Sequence, residues 1–164
     1  MLTVEGSQKA PGLKFAIVVS KFNDFVTDRL QTGALEGLKS AGILSDDIVV
    51  IKVPGAFEIP FAAKEAATRG HVAAVICLGC LIRGATAHFE YIASACAHGI
   101  TDAAAASGVP MTFGVLTTNS VEEALERAGD GPGNKGWEAA VAAVEMATLQ
   151  RTLRQPRPVS GFTV

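Results

Sequence analysis

His88 is the residue in this 164-residue chain whose setting most resembles that of a proton carrier. It follows Gly84-Ala85-Thr86-Ala87 and opens a long helical pattern, where exposed amides and the helix dipole disfavour an imidazolium and keep a neutral proton acceptor available. The same helix start makes Gly84, Ala85 and Thr86 a candidate phosphate cradle, through backbone N–H groups and the Thr86 hydroxyl. The plainer alternative is a helix-starting histidine that satisfies only local hydrogen bonds. His71 and His98 read as a loop and a helix-face residue. Arg83 and Arg127 are the candidate anion-binding side chains, since a guanidinium can grip a phosphate bidentately. Arg83 can equally brace its loop by pairing with an acid, and Arg127 can simply complement a helix C-terminus. Lys135 and Glu138 are close enough in sequence to pair, either lining a site or as a solvated ion pair.

Two further segments carry aromatic side chains at the ends of apolar runs. Phe22-Asn23 follows the first run and Gly55-Ala56-Phe57-Glu58 the second. Phe22 and Phe57 can offer apolar surface to a planar heterocycle, or serve as ordinary packing residues. Two motifs mislead. Gly131-Pro132-Gly133-Asn134-Lys135-Gly136 satisfies G-x-G-x-x-G but follows a helix rather than a first strand, and it lacks the Lys-Ser/Thr ending of a P-loop. Cys77 and Cys80 form a solitary C-x-x-C at a strand end rather than at a helix start, so neither redox chemistry nor a structural zinc site is expected.

The positioning elements follow from hydrophobic periodicity. Residues 13–20, 48–53, 72–79 and 110–117 read as strands, the first and third nearly continuously apolar as in a parallel sheet buried on both faces. Helices are predicted over 24–41, from Pro60 toward Arg69, over 88–107 with a stop at Gly108, from the capping box Ser120-Val121-Glu122-Glu123 to near Gly129, and over 137–153. Residues 80–87 and 130–136 are left as loops. Alternation of strand and helix with short links implies an open α/β sheet with helices on both faces. Its binding crevice is expected beyond the C-terminal strand ends, where the candidate residues cluster. Residues 1–11 read as an N-terminal extension able to add an edge strand, 12–154 as one domain, and 155–164 as an extended tail.

Composition narrows the function classes. A hydrophobic fraction of 49% argues against disorder, and 17 Gly imply many turns. The charged fraction, 18%, is below the ~25% usual in a soluble domain, so part of the surface is expected to be covered by other subunits. A formal charge of -2 supplies no positive field for general nucleic-acid binding. Charged residues interrupt every apolar run, so no membrane span is expected, and the first residues do not read as a secretion signal. Three cysteines are odd in number and too few for a disulfide framework, which fits a reducing cytoplasm.

Taken together, five motifs in order resemble the 6,7-dimethyl-8-ribityllumazine synthase family of riboflavin biosynthesis. They are Ser20-Lys21-Phe22-Asn23, Val53 to Pro60, Gly79 to Phe89, Gly114 to Asn119, and Arg127-Ala128-Gly129 followed by Gly133 to Ala140. The resemblance covers Gly12 to about Arg154. It implies a three-layer α/β/α sandwich, flavodoxin-like, with a central four-stranded parallel sheet and an N-terminal edge strand shared with a neighbouring subunit. It also implies a transferase that condenses 5-amino-6-(D-ribitylamino)uracil with 3,4-dihydroxy-2-butanone 4-phosphate, giving the lumazine, phosphate and water, with no cofactor and no metal.

Carried over residue by residue, the resemblance has Phe22 stack on the pyrimidine. Ala56, Phe57 and Glu58 with Cys80, Leu81 and Ile82 would bind its ring and ribityl chain, and Phe113 would be supplied across a subunit boundary. Ala85, Thr86 and Arg127 would hold the phosphate and His88 would move protons. Lys135 would sit near the reacting centre, with Asn23, Arg83 and Glu138 in support. The family forms pentamers with sites between subunits, and the short Gly129–Gly136 link resembles members whose pentamers close into an icosahedral shell, for which riboflavin synthase is a candidate partner. Lys21 stands where Arg is common, Ala87 where Pro is frequent, and the tail after Arg154 is atypical. The competing readings are a protein on the same fold that binds a lumazine or flavin without turnover, and one that only builds a compartment.

Overall fold

A computed structural model describes residues 1–155; the remainder of the expected tail, 156–164, lies outside the described residues. Four parallel strands form one sheet in the order β2-β1-β3-β4. They are β1 (Phe15–Ser20), β2 (Ile48–Val53), β3 (Ala74–Ile82) and β4 (Met111–Thr118). The helices are α1 (Asp24–Ser40), α2 (Ile59–Arg69), α3 (His88–Ser107), α4 (Val121–Arg127) and α5 (Lys135–Arg154). The order 2-1-3-4 is the flavodoxin-like one, so the three-layer α/β/α expectation holds.

β1 shows why the layers form. All six of its residues are buried, and successive side chains alternate between faces. Phe15, Ile17 and Val19 enter the core built with Leu30 and Leu38 of α1 and Ala140 and Val144 of α5. Ala16 and Val18 enter the opposite core, with Ile59 and Ala63 of α2 and Cys96 and Ile100 of α3. A strand loaded on both faces has no solvent side and must run centrally. β2 and β4 are the edges of the chain's sheet. Val49 and Val50 of β2 and Phe113 of β4 remain exposed there.

Local chemistry fixes the boundaries. α3 starts at His88 and stops where Gly108 takes a left-handed conformation, φ +64°. α2 carries Pro60 in its first turn. Ser120 Oγ accepts from Glu123 N at 3.2 Å, and the Glu123 carboxylate accepts from Asn119 N at 2.9 Å, one residue before the reciprocal donor expected of a capping box.

Several expectations shift. β3 continues through Cys80, Leu81 and Ile82, assigned above to a loop, because these residues pair with Leu116, Thr117 and Thr118 of β4. β4 itself begins and ends one residue later than predicted. α5 begins at Lys135 rather than 137, because the Asn134 side chain accepts from Gly136 N and Trp137 N and so caps the helix earlier. Residues 1–11 add no strand to their own chain's sheet. They cross the helical layer instead, with Ser7 N donating to Thr148 Oγ1 at 2.7 Å and Ala10 N to Ala41 O at 3.1 Å.

Candidate active site

The carboxyl ends of β1, β2 and β3 open into a cavity of about 590 Å³. Its floor is built by short-range constraint. Lys21 N and Phe22 N donate to Val53 O and Pro54 O, which locks the end of β1 to the end of β2. Asn23 adopts a left-handed conformation, φ 60°, and its Nδ2 donates to Cys80 O at 2.9 Å, tying the start of α1 to β3. Gly55 N donates to a Glu58 carboxylate oxygen at 2.9 Å, which shapes the turn that presents Ala56 and Phe57.

Phe22, Asn23, Ala56, Phe57 and Glu58 line this cavity together with Cys80, Leu81 and Ile82. Phe22 is 70% and Phe57 58% exposed, so neither is a core residue of its own chain, and the apolar surface read from sequence is free to meet a ring. Gly84, Thr86 and His88 complete the wall at the N-terminus of α3, with Ala85 in the intervening exposed turn. The amides of that helix start face a region that favours an anion. Among its lining residues there is no lysine or arginine.

The cationic residues lie elsewhere. Arg127 and Lys135 line a second cavity, of about 470 Å³, that runs along the open edge of β4. Phe113, 47% exposed, and Glu138 line it too. Lys135 Nζ donates to both Glu138 carboxylate oxygens, at 2.9 and 2.8 Å, and Arg127 Nη1 donates to Glu123 O at 2.9 Å. The Lys135–Glu138 pair lines this cavity with both side chains partly exposed. Within one chain, then, Arg127 and Lys135 share one cavity and His88 and Thr86 another.

Arg83 lines neither cavity. It braces its loop, as one sequence reading held: Nη1 pairs with Glu90, Nε donates to Asn119 Oδ1 at 3.0 Å, and the guanidinium carbon lies 4.5 Å from the centre of the Phe89 ring. The hydrogen bond from Arg83 holds the Glu90 carboxyl below the usual glutamate range. Burial pushes the Cys80 and Cys96 thiols up to about 11 and the Cys77 thiol further still, which disfavours the reactive thiolate at all three. Among the described residues, no three His, Cys, Asp or Glu side chains gather where a metal would sit, and no helix is long and apolar enough to cross a membrane.

Sequence reasoning missed three residues that support this geometry. Asn119 and Glu123 link Arg83 to Arg127; the capping box signals Glu123, but nothing in the pattern reveals the Arg83 contact of Asn119. Asn134, 3% exposed, donates to Arg29 O and Gly129 O while it caps α5, and so fixes where Lys135 emerges. Its residue type ahead of a helix was the available signal.

An open parallel sheet with one cavity at its carboxyl end and a second, lined by Arg127 and Lys135, on its edge defines a flavodoxin-like α/β protein. The profile of the 6,7-dimethyl-8-ribityllumazine synthase family matches residues 12–151, and the chain belongs to that family. It is 52% identical over 149 residues to the 6,7-dimethyl-8-ribityllumazine synthase of Syntrophus aciditrophicus (strain SB), covering 91% of this chain and 97% of that one. To the protein of the same name from Desulfatibacillum aliphaticivorans it is 48% identical over 146 residues, covering 89% and 94%.

Proposed function

We propose that the protein condenses 5-amino-6-(D-ribitylamino)uracil with 3,4-dihydroxy-2-butanone 4-phosphate to form 6,7-dimethyl-8-ribityllumazine, phosphate and water, at a site shared by two neighbouring subunits. One observation carries the shared site. Among the described residues, the cavity holding Phe22, Thr86 and His88 has no lysine or arginine on its wall, whereas Arg127 and Lys135 line a cavity on the open β4 edge beside Phe113. A phosphate-bearing substrate needs both halves, and an edge presented to the next copy supplies the second. Such a contact joins two different faces of the chain, and repeating it builds a ring where the rotation between copies closes. A pentamer is the ring the family resemblance implies, and a shell of pentamers, with riboflavin synthase as a partner, is its further extension. The cytoplasm is the compartment that fits.

In this reading the pyrimidine stacks on Phe22 and lies against Phe57 and the neighbour's Phe113 face, with backbone groups of Ala56, Leu81 and Ile82 meeting its polar edge. Glu58 and Cys80 flank the ribityl chain. Ala85 and Thr86 receive the phosphate, and Arg127 closes on it from the adjoining subunit. An amine of the pyrimidine attacks the ketone to form an imine, phosphate leaves by elimination, and the second amine closes the ring. His88 moves protons between these steps, while Lys135, held by Glu138, adds positive charge where phosphate departs. Both substrates are reactive, so most of the acceleration comes from holding them together in one orientation, with His88 adding proton transfer.

The test is to mix purified protein with both substrates and follow lumazine absorbance and phosphate release, subtracting the spontaneous reaction. Product above background, reduced by Arg127→Ala, supports the synthase. A folded oligomer that binds a lumazine or flavin without accelerating its formation is instead a binding protein.

A further inference from the structure

The loop that leads to His88 has few anchors of its own. Residues 83–88 are all exposed, and a side chain added at Gly84 would meet nothing within 4 Å. What holds the loop is Arg83 at its start. Arg83 N donates to Thr118 O at 2.8 Å, which extends the β3–β4 ladder by one bond. The guanidinium then reaches across the loop to Phe89 and Glu90, the two residues after His88. One side chain therefore closes the loop on itself, with Ala85, Thr86 and His88 inside the closure.

A guanidinium is a rigid plane whose donors leave in fixed directions. Glu90 alone would leave that plane free to pivot about one contact. The second contact, Arg83 Nε to Asn119 Oδ1 at 3.0 Å, removes the pivot and sets the plane over the Phe89 ring. Asn119 is itself fixed, since its N–H donates to the Glu123 carboxylate at 2.9 Å. The Glu123 carbonyl accepts from Arg127 Nη1 at 2.9 Å. A continuous strap thus runs from Glu90, two residues after His88, through Arg83, Asn119 and Glu123 to Arg127 on the wall of the second cavity.

We infer that Asn119 is a positioning residue for the phosphate-binding loop, acting through Arg83, and that the strap it centres keeps the two half-sites of one subunit in register. The inference rests on the proposed synthase reading for its kinetic consequence, though not for its geometry. These contacts are exposed, and exposed pairs add little to stability. Their effect belongs in loop geometry and not in the melting temperature.

The test compares Asn119→Ala, which removes the acceptor, with Asn119→Asp, which keeps one, in the assembled protein. Asn119→Ala should raise KM for the butanone phosphate about fivefold, the loss of roughly one hydrogen bond, with kcat and the KM for the pyrimidine within about twofold. Asn119→Asp should restore the wild-type value. In parallel, millisecond hydrogen exchange across residues 84–88 should be faster in Asn119→Ala and return to normal in Asn119→Asp, with unchanged melting midpoints. Equal exchange in all three proteins, or a rise in both KM values that aspartate fails to rescue, overturns the inference. A wild type without turnover removes the synthase reading alone, and the exchange comparison then decides whether Asn119 positions the loop.

Discussion

Gly136 lies so close to Leu30 that a Cβ added at position 136 would stand 1.9 Å from the Leu30 carbonyl oxygen. The contact brings the first turn of α5 directly against the backbone of α1, one residue after Lys135 leaves the Asn134 cap. Gly136→Ala would gain helix propensity of about 1 kcal/mol. It would also force the two helices apart, and an overpacked contact with backbone typically costs about 1–3 kcal/mol or more. The clash should win. Thermal unfolding should show a midpoint lower by several degrees, and a midpoint equal to or above wild type would mean that the helices separate freely.

Asn134 makes a related prediction at the same corner. Its side chain satisfies Gly136 N, Arg29 O and Gly129 O from a buried position. Asn134→Ala removes a helix cap worth about 1 kcal/mol and leaves carbonyls without a donor at about 1–3 kcal/mol each. A chemical denaturation midpoint lowered beyond what Gly136→Ala produces is expected. Asn134→Asp keeps the cap acceptor but loses the donors, and should fall between wild type and alanine.

The three cysteines supply a pH prediction. Burial raises Cys80 and Cys96 to about 11 and Cys77 higher. At pH 8 the folded protein should therefore resist iodoacetamide at all three positions and react only after denaturant is added. Rapid labelling of native Cys80 would contradict its burial. Because the folded state holds these protons more tightly than the unfolded one, the stability they contribute is full below about pH 8.5, where free thiols begin to ionise. It falls as pH rises toward 11, and denaturation midpoints should drop across that window.

Side-chain roles separate by kinetics. In the proposed site Arg127 holds the phosphate; losing such a charge-assisted contact costs about 1.5–3 kcal/mol, so Arg127→Ala should raise KM for the butanone phosphate at least about tenfold. The pyrimidine KM should change little. His88→Ala should lower kcat by about 100-fold and still leave turnover above the spontaneous rate, since orientation persists. Complete loss of activity in a correctly assembled His88→Ala protein would make His88 indispensable and refute catalysis by positioning.

Much of this architecture could be read from the chain because local signals mark it. The bounds of β2 and α3 follow from apolar runs, from the loop before His88 and from the left-handed stop at Gly108. The segment from Cys80 to Ile82 carries no local signal that separates it from the loop after it. Its strand state depends on pairing with Leu116 to Thr118, a partner distant in sequence. Asn134 was hidden inside a misleading glycine motif. The separation of Arg127 from His88 was not legible at all, because it follows from β4 occupying the sheet edge. Strand order is a property of the packed sheet, and no spacing along the chain encodes it.

The shared site has a direct test in mixed assemblies. His88→Ala and Arg127→Ala chains are unfolded, combined in equal amounts and reassembled, and lumazine formation at butanone phosphate well below the wild-type KM is compared with each variant reassembled alone. If the halves come from neighbouring subunits, roughly a quarter of the interfaces join an intact His88 cavity to an intact Arg127 cavity, and activity should recover toward that fraction of wild type. Activity no higher than the average of the two variants would place His88 and Arg127 in a site within one chain and contradict the account.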